Sequence, residues 1–256
     1  MELTHSPRVF FEIAYHGKAY HGWQIQQNAR SVQQTFEEAL AIACRMPIAT
    51  LGCGRTDTGV HARQLFVHAD LPETVQADRL LHQLNSLLPS DISVYRIIPV
   101  ESDAHARFDA LSRSYEYHFH YGKNPFLDGV SWQLKDQIDL SAMQEAAQIL
   151  LGYEDFSCFS KSNTQVFTNN CTITHANFEW MDETRFVFEI RANRFLRNMV
   201  RAIVGTLIEI GLGKKPIEHM HEVIQSKKRS WAGASVPAKG LFLTQVTYPY
   251  LTTVQR

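Results

Sequence analysis

The sequence predicts an α+β protein. It reads as two ferredoxin-like (β-α-β-β-α-β) halves, joined into one mixed, mainly antiparallel sheet with helices packed on it and a central active-site cleft. Three observations carry this. Stretches of two-residue alternation and of 3.6-residue periodicity take turns along the chain, marking strands and helices. Their order is the same in both halves apart from one extra helix in the second, that of a split β-α-β unit. The length of 256 residues fits one large or two small domains, at roughly 100–200 residues each.

The elements follow in order. Residues 8–15 alternate as a strand. Ser31 then caps a helix, and Gln34 three residues later completes a capping box. That helix runs to about Cys44, and Pro47 ends the connection. Residues 48–53 and 64–70 are strands, 77–88 a helix stopped by Pro89, and 92–100 a strand. The second half opens with a strand at 114–121, and Asp139 begins a helix that ends at Gly152. Residues 172–180 and 185–191 form a hairpin around "MDET". A long helix spans 194–210, ended by Gly211 and Gly213, and Pro216 opens a shorter one to about Ser226. A strand at 241–248 closes the chain. The polar stretch "ESDAHARFDALS" marks the joint, giving domains 1–104 and 105–256. Joining the halves edge to edge covers two exposed strand edges and leaves a cleft as the natural site.

Composition narrows the class. Hydrophobic residues make up 45% and charged residues 20%, ordinary for a soluble protein. No run approaches the roughly 18 apolar residues of a membrane span. "MELTHSPRVF" lacks a basic flank followed by an apolar core, so no secretory signal is expected there. Cys44, Cys53, Cys158 and Cys171 form no C-x-x-C pair and fit no zinc spacing. They read as reduced, buried thiols of a cytoplasmic protein. The net charge of −1 counts against a nucleic-acid binder, for which a basic domain is expected. Charge is unevenly spread, however. Between Glu189 and Glu209 there is no acid but four arginines, Arg191, Arg194, Arg197 and Arg201. Lys227, Lys228 and Arg229 follow. A neutral protein with a local basic strip still attracts a polyanion.

The candidate chemistry centres on "GCGRTDTGVH", residues 52–61, set between two strands. Asp57 is either a turn residue paired with Arg55 or a carboxylate presented for chemistry. Gly54 and Gly59 favour the second, because they allow tight backbone conformations. A carboxylate beside an arginine stays ionised, which suits a nucleophile or a base. His61 and His68 follow, but no metal-binding histidine spacing appears. On the long helix, Arg194, Arg197 and Arg201 would share one face, set for phosphate or carboxylate pairing or merely for solvation. Tyr115 and Tyr117 alternate in "RSYEYHF", so they share one sheet face. "AYHGWQIQQNARS", with Trp23 and Gln24, mixes stacking and hydrogen-bonding groups as nucleic-acid-binding loops do. Arg107 in "HARF" is either an ion-pair partner or a phosphate contact. Tyr153, Phe156, Ser157 and Phe159 either line an RNA side or pack.

Six stretches occur together in order: "AYHGWQIQ", "RSVQQTFEEAL", "GCGRTDTGVHARQ", "DAHARFDALSRSYEY", "NRFLRNMVRAIVGTL" and "VPAKGLFL". They resemble the TruA family of tRNA pseudouridine synthases, from about Phe10 to Val246. Val236 stands where such sequences often carry alanine. The resemblance implies two ferredoxin-like halves around an active-site cleft, a homodimer, and no metal or organic cofactor. It implies isomerisation of uridine to pseudouridine in the anticodon stem-loop of tRNA, around positions 38–40. Asp57 matches the catalytic aspartate, Tyr115 the tyrosine that contacts the target base, and Arg201 the partner of the aspartate. Arg55 matches an arginine that helps to displace the base. Two rival classes remain at this stage: a non-catalytic RNA-binding module, which does not require Asp57, and an aspartyl hydrolase, which lacks its usual second acid or metal.

Overall fold

Strand β1 (Arg8–Tyr15) has the bounds that alternation sets. After it come α1 (Val32–Cys44), β2 (Leu51–Gly52), β3 (His61–Asp70), α2 (Ala77–Leu87) and β4 (Ile92–Pro99). Then follow β5 (Ser112–Tyr121), β6 (Trp132–Leu134), α3 (Leu140–Ile149), β7 (Ile173–Trp180) and β8 (Arg185–Ala192). The last elements are α4 (Met199–Gly211), α5 (His219–Ser226) and β9 (Leu241–Thr247). The protein is thus α+β. The computed structural model describes residues 7–160 and 168–252. Residues 1–6, part of the stretch read above for a signal, lie outside the described residues. The chain divides into two compact units, one up to Leu111 together with the residues from Leu243, the other Ser112–Phe242.

In the first unit β4 and β3 flank β1, both antiparallel to it, β2 adds to β3, and β9 lies on the other side of β3. The strand period of two sorts the side chains onto two faces. Phe11 packs edge-on against Phe36 of α1, ring centroids 5.2 Å apart. Phe10 turns the other way, onto Phe66 and Tyr248. Each ring is fully buried, a contribution of roughly 1.5–3 kcal/mol apiece. Glu12 is buried beside them at 1% exposure. An unpaired carboxylate there would cost more than one such ring contributes. It is therefore met twice, by Arg96 and by the Gln64 amide at 2.9 Å. Ser31 caps α1 as expected, accepting from the Gln34 N–H at 3.1 Å. The Gln34 amide reaches forward to Glu38, so the reciprocal half of the capping box does not form.

Two expectations change here. The strand expected at 48–53 shrinks to Leu51–Gly52. The reason is that the N–H and hydroxyl of Thr50 both bond Glu37 of α1, at 3.0 and 2.8 Å, which ties residue 50 to the helix. In the second unit β8 lies between β5 and β7, antiparallel to both, while β6 runs parallel to β5. The helix expected from 194 begins only at Met199. Asn198 before it takes a left-handed conformation (φ 65°), which asparagine tolerates and a helix does not. Arg194 and Arg197 therefore precede the helix and do not share a face with Arg201. The helix is buried nearly all round, which leaves no solvated face for a charged stripe.

Candidate active site

The loop from Gly52 to His61 is fixed by backbone contacts that only glycine permits. A Cβ on Gly52 would lie 2.4 Å from Nε1 of Trp23, and one on Gly17 would lie 2.0 Å from the carbonyl oxygen of Val60. Gly22 has φ +83°, and a Cβ there would stand 2.2 Å from the carbonyl oxygen of Thr56. Gly59, at φ 79°, donates to the Tyr20 carbonyl at 3.2 Å. The Val60 N–H closes the turn on the Asp57 carbonyl at 3.1 Å. The Thr56 hydroxyl lies 2.8 Å from that of Tyr15, and the Gly17 N–H bonds Nδ1 of buried His61 at 3.0 Å. A Cβ on Gly54 would meet nothing within 4 Å, so the hinge suggested by two glycines rests on Gly59 alone.

Within this frame Asp57 is half-buried and Arg55 exposed. Among the described residues Arg55 has no ion-pair partner, so the bland reading of an Arg55–Asp57 pair is not realised. Trp23 is only 2% exposed and stacks on Tyr15, centroids 6.4 Å apart. In this conformation it supports the loop and offers no face to a base. Gln24 beside it is exposed. Gly17, Gly22 and Tyr20 were not singled out in the sequence. Their signal was the doubled histidine-glycine pair in "YHGKAYHGW".

The second unit carries Tyr115 and Arg201. Tyr115, half-buried on β5, meets Phe195 edge-on at 5.1 Å. Tyr117, on the same strand face, is fully buried and donates to the Pro237 carbonyl at 2.7 Å, and burial pushes its hydroxyl pKa up. It is a packing residue. Arg201 lies in the first turn of α4, and its Nε donates to the Val236 carbonyl at 2.7 Å. The 232–237 strap that supplies this acceptor is itself held. Ser235 accepts from Asn198 at 2.5 Å and from Arg229 at 2.9 Å, and Gly233 donates to Thr206 at 2.9 Å. A Cβ on Gly205 would lie 1.9 Å from the Ala234 carbonyl oxygen. Arg229, expected as part of a basic cluster, is therefore engaged in structure.

Arg107 is exposed in the first unit, 5.6 Å from the ring centre of Phe108. Phe156 and Phe159 are buried, and Ser157 caps back to Asp155. Tyr153 bonds His221 at 2.7 Å. The four cysteines are free, three of them buried, and burial pushes the thiols of Cys158 and Cys171 up to about 12 and about 11. Among the described residues no group of three or more His, Cys, Asp or Glu is placed to hold a metal ion, and no helix is long and apolar enough to cross a membrane.

The fold is α+β, and one of its loops, fixed by glycines, carries a half-buried aspartate. Comparison with known proteins identifies the family. A family model described as tRNA pseudouridine synthase matches residues 146–249. The tRNA pseudouridine synthase A of Porphyromonas gingivalis is 50% identical over 245 residues, covering 94% of this chain and 97% of that protein. Its counterpart in Parabacteroides distasonis is 51% identical over 244 residues, covering 94% and 96%. That of Bacteroides fragilis is 46% identical over 243 residues, again 94% and 96%. The chain belongs to the tRNA pseudouridine synthase A family.

Proposed function

We propose that this protein isomerises uridine to pseudouridine in the anticodon stem-loop of tRNA, around positions 38–40, with Asp57 as its one catalytic carboxylate. The observation that carries the reading is the loop itself. An acid in an ordinary turn does not need two glycines packed against the carbonyls of its neighbours Thr56 and Val60, whereas an acid that must meet a sugar carbon within a fraction of an ångström does. Family membership supplies the substrate class.

The chemistry balances within one nucleotide. The C1′–N1 bond breaks, the freed uracil turns over, C1′–C5 forms, the C5 proton leaves and N1 gains one. Nothing is oxidised and no water enters. Asp57 serves either by attacking C1′ or by drawing a proton from the sugar, and both routes need it ionised. Arg201, its Nε fixed by the strap, is the group we assign to keep it so. Tyr115 offers an aromatic face to the detached base. A base inside a stem must first be flipped out, at a few kcal/mol, least near a loop end. Exposed Arg55, with no ion-pair partner among the described residues, is suited to fill the vacated space. Arg107 and Gln24 are proposed contacts to the RNA. We further propose two ferredoxin-like halves, consistent with the β4-β1-β3-β2 order of the first unit, together with a homodimer and a cytoplasmic location in keeping with four free thiols.

The test is pseudouridine mapping on an unmodified tRNA transcript, with purified protein and a chelator present. New pseudouridine at positions 38–40 is expected. No product on any tRNA, with binding intact, would overturn the reading in favour of a non-catalytic RNA-binding module.

A further inference from the structure

The turn at 104–111 is built the wrong way round for a joint between elements. Its small residues face inward and its large ones outward. Ala104, Ala106 and Ala110 are buried, while Phe108 is 74% exposed with Arg107 beside it. The turn is also rigid. The His105 N–H bonds the Asp109 carboxylate at 2.7 Å, and the Asp109 N–H returns to the His105 carbonyl at 3.1 Å. The Ala106 N–H bonds Nδ1 of His68 at 3.1 Å, and Tyr248 donates to the Ala106 carbonyl at 2.5 Å. Tyr250 holds the same Asp109 oxygen at 2.7 Å. Nδ1 of His105 accepts from the N–H groups of both Arg107 and Phe108, at 3.1 and 3.2 Å. That ring is therefore neutral, with its proton on Nε2. It also packs against the Phe108 ring, centroids 4.2 Å apart.

An exposed ring normally relaxes onto its own surface. Here histidines, tyrosines and an aspartate hold the turn that carries it, and a guanidinium lies 5.6 Å from its centre. An aromatic face joined to a cation is the pairing that takes a nucleobase and its phosphate together. His68, which anchors the turn, sits seven residues along β3 from His61, about 23 Å at the strand rise. The loop begins at Gly52, opposite Val67, but the Val60 N–H bond to the Asp57 carbonyl keeps Asp57 at the His61 end, so the turn is anchored well away from Asp57 itself.

We propose that Phe108 is an RNA-docking residue, stacking an unpaired base of the tRNA remote from the one being isomerised, with Arg107 on the adjoining phosphate. This rests on the tRNA reading above but not on turnover, because it is read by binding alone. The probe is an unmodified tRNA transcript, its dissociation constant measured against salt. Phe108→Ala is expected to weaken binding about 5- to 100-fold, the range for one base–aromatic stack, with the salt slope unchanged. Phe108→Trp should restore affinity. Arg107→Ala should lower the salt slope by about 1. The loss should fall on KM rather than on kcat. Wild-type affinity in Phe108→Ala would overturn the proposal. So would a change in its sedimentation mass with tRNA affinity intact, which would make the ring a protein contact. If the wild type binds tRNA but makes no pseudouridine, the enzymatic reading fails and the docking proposal is still judged by the same titration.

Discussion

The loop around Asp57 and the strap around Arg201 solve one problem by opposite means. Both must hold a charged side chain still. The loop does it by leaving atoms out: Gly17, Gly22 and Gly52 let backbone and ring approach to distances no Cβ survives. The strap does it mainly by putting atoms in, through hydrogen bonds from Asn198 and Arg229 to Ser235 and from the Gly233 N–H to Thr206. A fixture made of absent atoms fails all at once when one is added. A fixture made of several hydrogen bonds weakens one bond at a time.

The first way to break this comparison is Gly22→Ala. The left-handed backbone costs about 1–2 kcal/mol and the clash with the Thr56 carbonyl adds more, so a loss of about 3 kcal/mol or more is expected in urea unfolding. Turnover should fall with it. A melting temperature within a degree of wild type would show the loop to be adaptable. Next is Arg201→Ala, which removes both the strap contact and the assigned partner of Asp57. We expect about 1–3 kcal/mol of destabilisation and a loss of kcat. Full activity at an unchanged melting temperature would end the pairing. Ser235→Ala should be milder. It deletes two strap bonds, one from a guanidinium, for about 1–2 kcal/mol, and activity should be partly kept.

The smallest expected effect is a pH dependence. Burial lowers the pKa of His68 from 6.5 to about 4. The unfolded chain takes up that proton near pH 6.5 while the folded chain resists it until near pH 4. The contribution is therefore full above about 6.5 and is lost as pH falls toward 4. Urea midpoints at pH 7 and pH 5 should differ less in His68→Gln than in wild type, since the amide oxygen can still accept from Ala106.

Much of this was legible beforehand, and what was not has physical causes. Arg8–Tyr15 and the Ser31 cap read true because alternation and capping are local. The start of α4 was misplaced because periodicity continues through "NRFLRN" and cannot register a left-handed Asn198 bonded to Ser235, 37 residues away. The strand at 48–53 was cut short by Glu37, equally invisible to alternation. Trp132–Leu134 was missed because three residues carry no period. The loop that carries Asp57 stands out in the sequence because it concentrates glycines and charges in ten residues. Two of the glycines that hold that loop, Gly17 and Gly22, lie 30 or more residues upstream of its start. Trp23 showed its composition but not its burial. Which strand 241–248 would pair with is not written in its own alternation.

The central claim is that one carboxylate does the chemistry, and Asp57→Asn tests it most directly. The amide keeps the shape of the side chain but can neither attack C1′ nor take a proton. Single-turnover pseudouridine formation and tRNA affinity should be measured on the same preparation. Product below detection, with affinity within a few-fold of wild type, is the expected result. Product forming at a comparable rate would contradict the claim and return Asp57 to being a turn residue.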